Sequence, residues 1–257
     1  MESGNCAILL AKPERMTKLI KLSYDKKLKY IIKKNLSNNN IVLHSNLLTL
    51  DRKFLLDKKK IKSIILLNLN KAIFLPAFNF NKRKKLNFDK NEDSFGALTN
   101  LFINDKKFKR IINPIHSYIY KNHRIIKNFK TFSFGKKSIF QYFYDSDFTW
   151  VNFGCEYNQG YTLFHHAEEL NNVSYRKKIT FKKVIQYKKK NIKINYNYFA
   201  RKKKVAFNFK KAVLEMRRKR IIKFIKFENT FLEIGKVKKI INFLNKKLKL
   251  NKNYLLY

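Results

Sequence analysis

The chain is predicted to fold as an α/β protein, and three observations carry that prediction. Short apolar runs ending at polar or proline positions alternate with helix-length amphipathic segments, the order expected of a sheet with crossover helices. An apolar share of 45% is that of a globular protein, and 257 residues suffice for one substantial core. No Gly/Ser/Pro-rich linker and no internal repeat interrupts the chain. We read residues 16–257 as a single domain and residues 1–15 as an unstructured leader.

In chain order, Leu19, Ile20, Leu22, Leu28, Ile31 and Ile32 recur at helical spacing among lysines between Met16 and Lys34. Ile41–His44 and Ala72–Leu75 suit buried strands, with a helix-length segment over Lys53–Asn68 between them. Asp147–Gly154 reads as a further strand that delivers the chain to a turn at Gly160 and a helix from Leu163. Lys182–Ile194 and Tyr196–Phe209 fit an antiparallel pair or irregular structure, since periodicity does not separate the two. Ala212–Phe227 and Val237–Leu250 read as helices, the second with Val237, Ile240, Ile241, Leu244 and Leu248 on one stripe. Lysine runs such as Lys188–Lys190 and Lys202–Lys204 read as solvated surface.

Charge discriminates poorly between functions. A net charge of +42 suggests phosphate-bearing partners by default. Yet Lys, Asn, Ile, Phe and Tyr abound while Gly numbers 6 and Pro 3, a composition that an AT-biased genome imposes on any protein. The exceptions are then informative. Four of the six glycines and two of the three prolines lie between Pro76 and Gly160, where special backbone geometry is needed. All five histidines fall between residues 40 and 180, so the chemistry is placed there. Cys6 and Cys155 are far apart with no C-x-x-C pattern, no apolar run reaches the ~18 residues of a membrane span, and we expect a reducing, cytoplasmic setting.

The segment Thr162-Leu163-Phe164-His165-His166-Ala167-Glu168-Glu169, followed by Val173-Ser174-Tyr175-Arg176, is the strongest chemical signal. On a helix, His165 and Glu168 are three residues apart and share a face, so the carboxylate can orient the imidazole and favour its charged form. This is the layout of a general base with its orienting partner. Thr162 precedes the helix, as a cap or a substrate contact.

This segment resembles the Thr-x-x-His-x-x-Glu stretch of the aminoglycoside 3-N-acetyltransferase family, whose surface-glycan relatives add a Val-Pro-Tyr-Arg-like sequence. Five further blocks follow the family's order between Ile41 and Phe181: Ile41–Leu47, Phe74–Phe80, Ser94–Leu98, Arg110–Ser117 and Ser133–Ser138. Ala77, Ile111 and Asn113 depart from the resistance enzymes, and Asn113-Pro114 is similar to the glycan branch. The resemblance implies a three-layer α/β/α fold with a mixed central sheet. It also implies acetyl-CoA as cosubstrate, no metal, and an amino-sugar acceptor, nucleotide- or lipid-linked. His165, Glu168 and Thr162 take the catalytic positions. His44, Ser45, Arg110, Ser117, Gly135 and Ser138 take cofactor-binding positions, and Tyr175 and Arg176 line the acceptor.

Other chemistries were weighed. A Cys155–His165 nucleophilic pair has the elements of an acylating dyad, and His116, His165, His166 and Cys155 could in principle bind zinc, although their spacings are not those of zinc sites. For the acceptor, an aminoglycoside stays open beside a surface-glycan amino sugar. A non-catalytic nucleic-acid-binding protein is the more distant alternative, with no sequence-specific motif to support it.

Overall fold

The computed structural model describes residues 23–51, 57–67, 71–80, 83–89, 95–125, 128–202 and 204–257. The proposed leader, and the starts of the helices expected from Met16 and from Lys53, lie outside the described residues.

Helix α1 (Tyr24–Leu36) leads into strand β1 (Ile41–Ser45), helix α2 (Lys58–Leu67) and strand β2 (Ile73–Pro76). The expected β-α-β start is therefore present. Strand β3 (Lys85–Asn87), helix α3 (Ala97–Phe102) and strands β4 (Lys109–Arg110) and β5 (Tyr118–Lys121) follow. Next come α4 (Ile139–Asp145), β6 (Thr149–Phe153), the short α5 (Tyr157–Gly160) and α6 (Leu163–Leu170). Strands β7 (Arg176–Tyr187) and β8 (Lys190–Arg201), helix α7 (Phe209–Arg218), strands β9 (Ile222–Phe227) and β10 (Thr230–Lys236), and helix α8 (Val237–Leu250) complete the chain.

Seven strands form the main sheet in the order β4-β5-β2-β1-β6-β10-β9. β1 is parallel to both β2 and β6, whereas β5 and β10 add antiparallel on either side. The sheet is mixed, as expected. Strand alternation splits its side chains between two cores. Ile41, Leu43, Ile73, Leu75, Val151 and Phe153 meet the apolar faces of α1, α2 and α3. Val42, Phe74, Tyr118 and Trp150 meet α4, α6, α7 and α8 on the other face. Helices on both faces make the three layers that the resemblance implies. On α8, Val237, Ile240, Ile241, Leu244 and Leu248 are all buried, the stripe read from the sequence.

One assignment is corrected and one open alternative is resolved. The segment Ala212–Phe227 is not one helix: the chain leaves α7 at Arg218, turns through Arg220 at φ 55°, and enters β9. The alternating Ile222-Lys223-Phe224-Ile225-Lys226-Phe227 suits a strand, and β10 supplies its antiparallel partner. The uncertain stretch after Lys178 is the antiparallel pair, a hairpin of two twelve-residue strands, starting earlier and ending earlier than the two runs suggested. Its turn residues Lys188 and Lys189 both adopt positive φ, 51° and 60°. Glycine or asparagine usually occupies such a turn. Here the Asp89 carboxylate accepts the backbone N–H of Lys188 at 2.6 Å and of Lys189 at 2.9 Å. With β3 parallel to β7, this hairpin forms a separate three-stranded sheet.

Candidate active site

Helix α6 follows α5 and presents His165 and Glu168 toward the root of the β7–β8 hairpin. His165 Nδ1 lies 2.7 Å from Glu168 Oε2, and the imidazole side chain is 19% exposed while Glu168 is fully buried. The carboxylate is held from three sides: Tyr175 donates its hydroxyl to Oε1 at 2.9 Å, and Arg176 Nε is 2.6 Å from Oε2. Arg176 Nη1 donates to the Phe199 carbonyl at 2.9 Å, which fixes the guanidinium. Four residues named from the sequence are thus brought into one cluster.

Charge balance in this cluster differs from the simple pair expected. Burial alone would raise the Glu168 carboxyl, but His165, Arg176 and the Tyr175 hydroxyl outweigh it and hold the group below its ordinary range. His165 is shifted down, by burial first and then by the Arg176 charge, against the upward pull of Glu168. Glu168 thus favours the charged ring as expected, but burial and Arg176 outweigh it, and the imidazole is neutral near pH 7. Arg176 Nη2 also approaches Nδ1 at 2.5 Å, and Nδ1 cannot both donate to the carboxylate and accept from the guanidinium. The tautomer with Nδ1–H on Glu168 leaves the lone pair on Nε2, which is the arrangement a general base requires.

The neighbouring residues are spent on the scaffold. His166 is fully buried and accepts the Gly135 N–H on Nδ1 at 3.1 Å, and burial pushes the ring down to about 3. Gly135 has φ 79°, and a Cβ there would stand 3.0 Å from Glu169 Oε1. Ser138 donates its hydroxyl to the Gly135 carbonyl at 2.7 Å and caps α4 by accepting the Gln141 N–H. Gly135 and Ser138 therefore shape the turn behind α6. Thr162 carries helical dihedrals and makes no side-chain capping bond, which removes the cap reading.

At the ends of β1 and β2, His44, Ser45, Pro76, Phe78, Thr99, Cys155 and neighbouring residues line a cavity of about 210 Å³. The ends of parallel strands are the usual site position in open α/β sheets. Burial pushes His44 down to about 3, and its Nε2 has no hydrogen-bond partner among the described residues. Arg110 and Ser117 lie behind this cavity: Arg110 Nε donates to Ser117 Oγ at 3.1 Å, and the guanidinium packs 3.5 Å above Phe88 and 5.0 Å from Phe95, a cavity residue. A run of ring contacts joins the cavity to His165: His44–Phe78 at 5.7 Å, Phe78–His116 at 5.1 Å, His116–Phe134 at 4.6 Å and Phe134–His165 at 5.6 Å.

Sequence reasoning missed a second buried charge cluster. Glu233 of β10, 1% exposed, accepts from Tyr161 Oη at 2.7 Å, Asn152 Nδ2 at 2.8 Å and Arg217 Nε at 2.7 Å. Asn152 also bonds both backbone groups of Cys155, and its side chain occupies the place where a Gly160 Cβ would sit, 2.6 Å away. Gly160 was the visible trace of this cluster. Cys155 is no nucleophile at neutral pH, since burial and then the Glu233 charge push its thiol up to about 12. Among the described residues no three His, Cys, Asp or Glu side chains gather as a metal site.

A sequence profile of the aminoglycoside 3-N-acetyltransferase family matches residues 76–249. Comparison with curated proteins gives no significant match. Solved structures with similar folds include the YokD protein from Bacillus subtilis, with TM-score 0.71 and 14% identity over 90% of this chain and 94% of that one. The aminoglycoside acetyltransferase AAC(3)-IVa in complex with gentamicin gives TM-score 0.70 and 12% identity over 92% and 93% of the two chains. AAC-IIIb in binary complex with CoASH gives 0.69 and 12% over 89% and 97%. With the profile spanning more than half of the sequence and the mixed three-layer fold in place, the chain belongs to the aminoglycoside 3-N-acetyltransferase family and is an N-acetyltransferase with acetyl-CoA as cosubstrate.

Proposed function

We propose that the chain acetylates the amine of an amino sugar carried on a nucleotide or lipid phosphate, in surface-polysaccharide synthesis, with His165 as general base. The observation that carries the base assignment is a neutral imidazole whose Nδ1 is turned onto a buried, ionised carboxylate. His165 Nε2 takes the proton as the amine nitrogen attacks the thioester carbonyl. The C–N bond forms, the tetrahedral oxyanion collapses, the C–S bond breaks, and the imidazolium returns its proton to the departing thiolate. No covalent enzyme intermediate forms. His44 and Ser45, at the cavity beside the strand ends, are the residues we assign to the thioester arm. The Thr162 hydroxyl, unused as a cap, is available to the acceptor. Tyr175 and Arg176 act on the acceptor site through Glu168.

Charge supports the phosphate-linked acceptor. Glu168 is consumed by Arg176 and His165, so it offers nothing to a polycationic drug. Asn113, where resistance enzymes usually carry His, is wholly structural here, holding the Ile115 and His116 N–H groups and the Tyr196 hydroxyl. A second reading, an aminoglycoside acceptor, rests on the family and on neighbours solved with gentamicin or sisomicin.

The test is acetyl-CoA turnover with amino sugars, nucleotide-linked amino sugars and aminoglycosides, comparing wild type with His165→Ala. One acceptor class should be acetylated, with kcat falling about 10²–10⁴-fold in the variant while acetyl-CoA binding persists. Undiminished kcat in the variant refutes the base assignment, and turnover of drugs alone refutes the proposed acceptor.

A further inference from the structure

The root of the β7–β8 hairpin sets two arginines directly opposite each other, Arg176 on β7 and Arg201 on β8. Like charges at such a cross-strand position destabilise a sheet unless something answers them. Arg176 is answered by Glu168. Arg201 is exposed and forms no ion pair among the described residues, its one hydrogen bond running from Nη1 to the Val205 carbonyl at 3.4 Å. Its charge is held in place by packing rather than by a counter-charge.

That place is beside the base. The guanidinium of Arg201 lies 5.6 Å from the centroid of Phe207, that of Arg176 lies 5.1 Å from it, and the His165 ring packs on the same phenyl at 5.4 Å. Arg201 is thus no farther from the imidazole than two ring contacts laid end to end, a reach spanned by one amino sugar and the phosphate on its anomeric carbon. An acceptor whose amine meets His165 and whose ring lies along Phe207 reaches this exposed fork, whose geometry suits a phosphate.

We propose that Arg201 is the acceptor-specificity residue: it binds the phosphate of the amino-sugar substrate and repels polycations. This rests on the acetyl-transfer reading above. It is tested on the full chain saturated with coenzyme A, at 150 mM salt or more, by calorimetric titration with glucosamine and glucosamine 1-phosphate and by steady-state acetylation of both. Wild type should bind the phosphorylated sugar about 10-fold more tightly than the plain one, the value of one charge-assisted hydrogen bond in a solvated mouth. Arg201→Ala should abolish that preference, Arg201→Lys should keep part of it, and Lys190→Ala at the hairpin tip should keep all of it. Melting temperatures of the variants should match wild type, since Arg201 is exposed.

Equal binding of the two sugars by wild type, or a preference that survives Arg201→Ala, overturns the proposal. So does a rise in KM for acetyl-CoA alone, which would put the cation on the cosubstrate's phosphates. The two readings fail separately. Arg201-dependent phosphate preference with no acetylation of either sugar sinks the amino-sugar reading and upholds the anion site, whereas acetylation of both sugars with equal KM does the reverse.

Discussion

Replacing Glu168 with glutamine removes one charge from a fully buried site without changing its size, and the structure dictates three linked effects. Arg176, only 3% exposed in its side chain, loses the carboxylate 2.6 Å from its Nε and is left as an unpaired buried cation. Breaking such a pair costs about 3–5 kcal/mol, which for a chain of this size lowers Tm by roughly 6–20 °C. Folding lowers the Glu168 carboxyl, so its stabilisation is present above the unfolded value of about 4.3 and is lost as pH falls through the folded one. The melting deficit of Glu168→Gln should therefore be full at pH 7 and shrink on acidification. His165 loses the group that raises it, so the acid limb of kcat/KM moves to lower pH while the plateau falls by on the order of 10² as the ring becomes a weaker, less oriented base. Melts from pH 3 to 8 and a pH–rate profile make the check. A limb that moves upward, or an unchanged Tm at pH 7, would refute the assigned charge balance.

Arg176→Gln should move the same limb in the opposite direction, to higher pH, because Arg176 holds His165 down. A pH–rate profile of that variant is the measurement. Gly160→Ala forces a Cβ to within 2.6 Å of the Asn152 side chain and should destabilise by about 1–3 kcal/mol, read from denaturant midpoints. Cys155, its thiol pushed up to about 12, should resist iodoacetamide at pH 8, where its thiolate fraction is on the order of 10⁻⁴, as peptide-resolved mass spectrometry would show.

Elements defined by local signals were legible in the sequence. Ile41–His44 and Ala72–Leu75 read as buried strands, and the strands found there occupy neighbouring places in the sheet. His165 and Glu168 could be joined on spacing alone because three residues on a helix is a contact distance. What escaped depends on partners remote in sequence. The hairpin turn at Lys188-Lys189 has no glycine because Asp89, some hundred residues earlier, supplies its acceptors. The strand Ile222–Phe227 was absorbed into a helix because its pairing with β10 outweighs a local pattern that either structure could use. Arg201 closed a Tyr198-Phe199-Ala200-Arg201 stretch only faintly similar to the family's end, and no role could be read for it until the strand register placed it across from Arg176. Glu233 and Asn152 are ordinary letters eighty-one positions apart that meet only on adjacent strands.

The position of Glu233 also bears on timing. During synthesis β1, β2 and β6 emerge, and so does the whole of α6, well before β10. Until β10 adds to β6, Asn152 and the Tyr161 hydroxyl lack the Glu233 carboxylate as acceptor. Long-range antiparallel closure of this kind is slow relative to local helix formation. The seam between β6 and β10 should therefore close late, and the buried cluster of Glu233, Asn152, Tyr161 and Arg217 forms in one step when β10 docks.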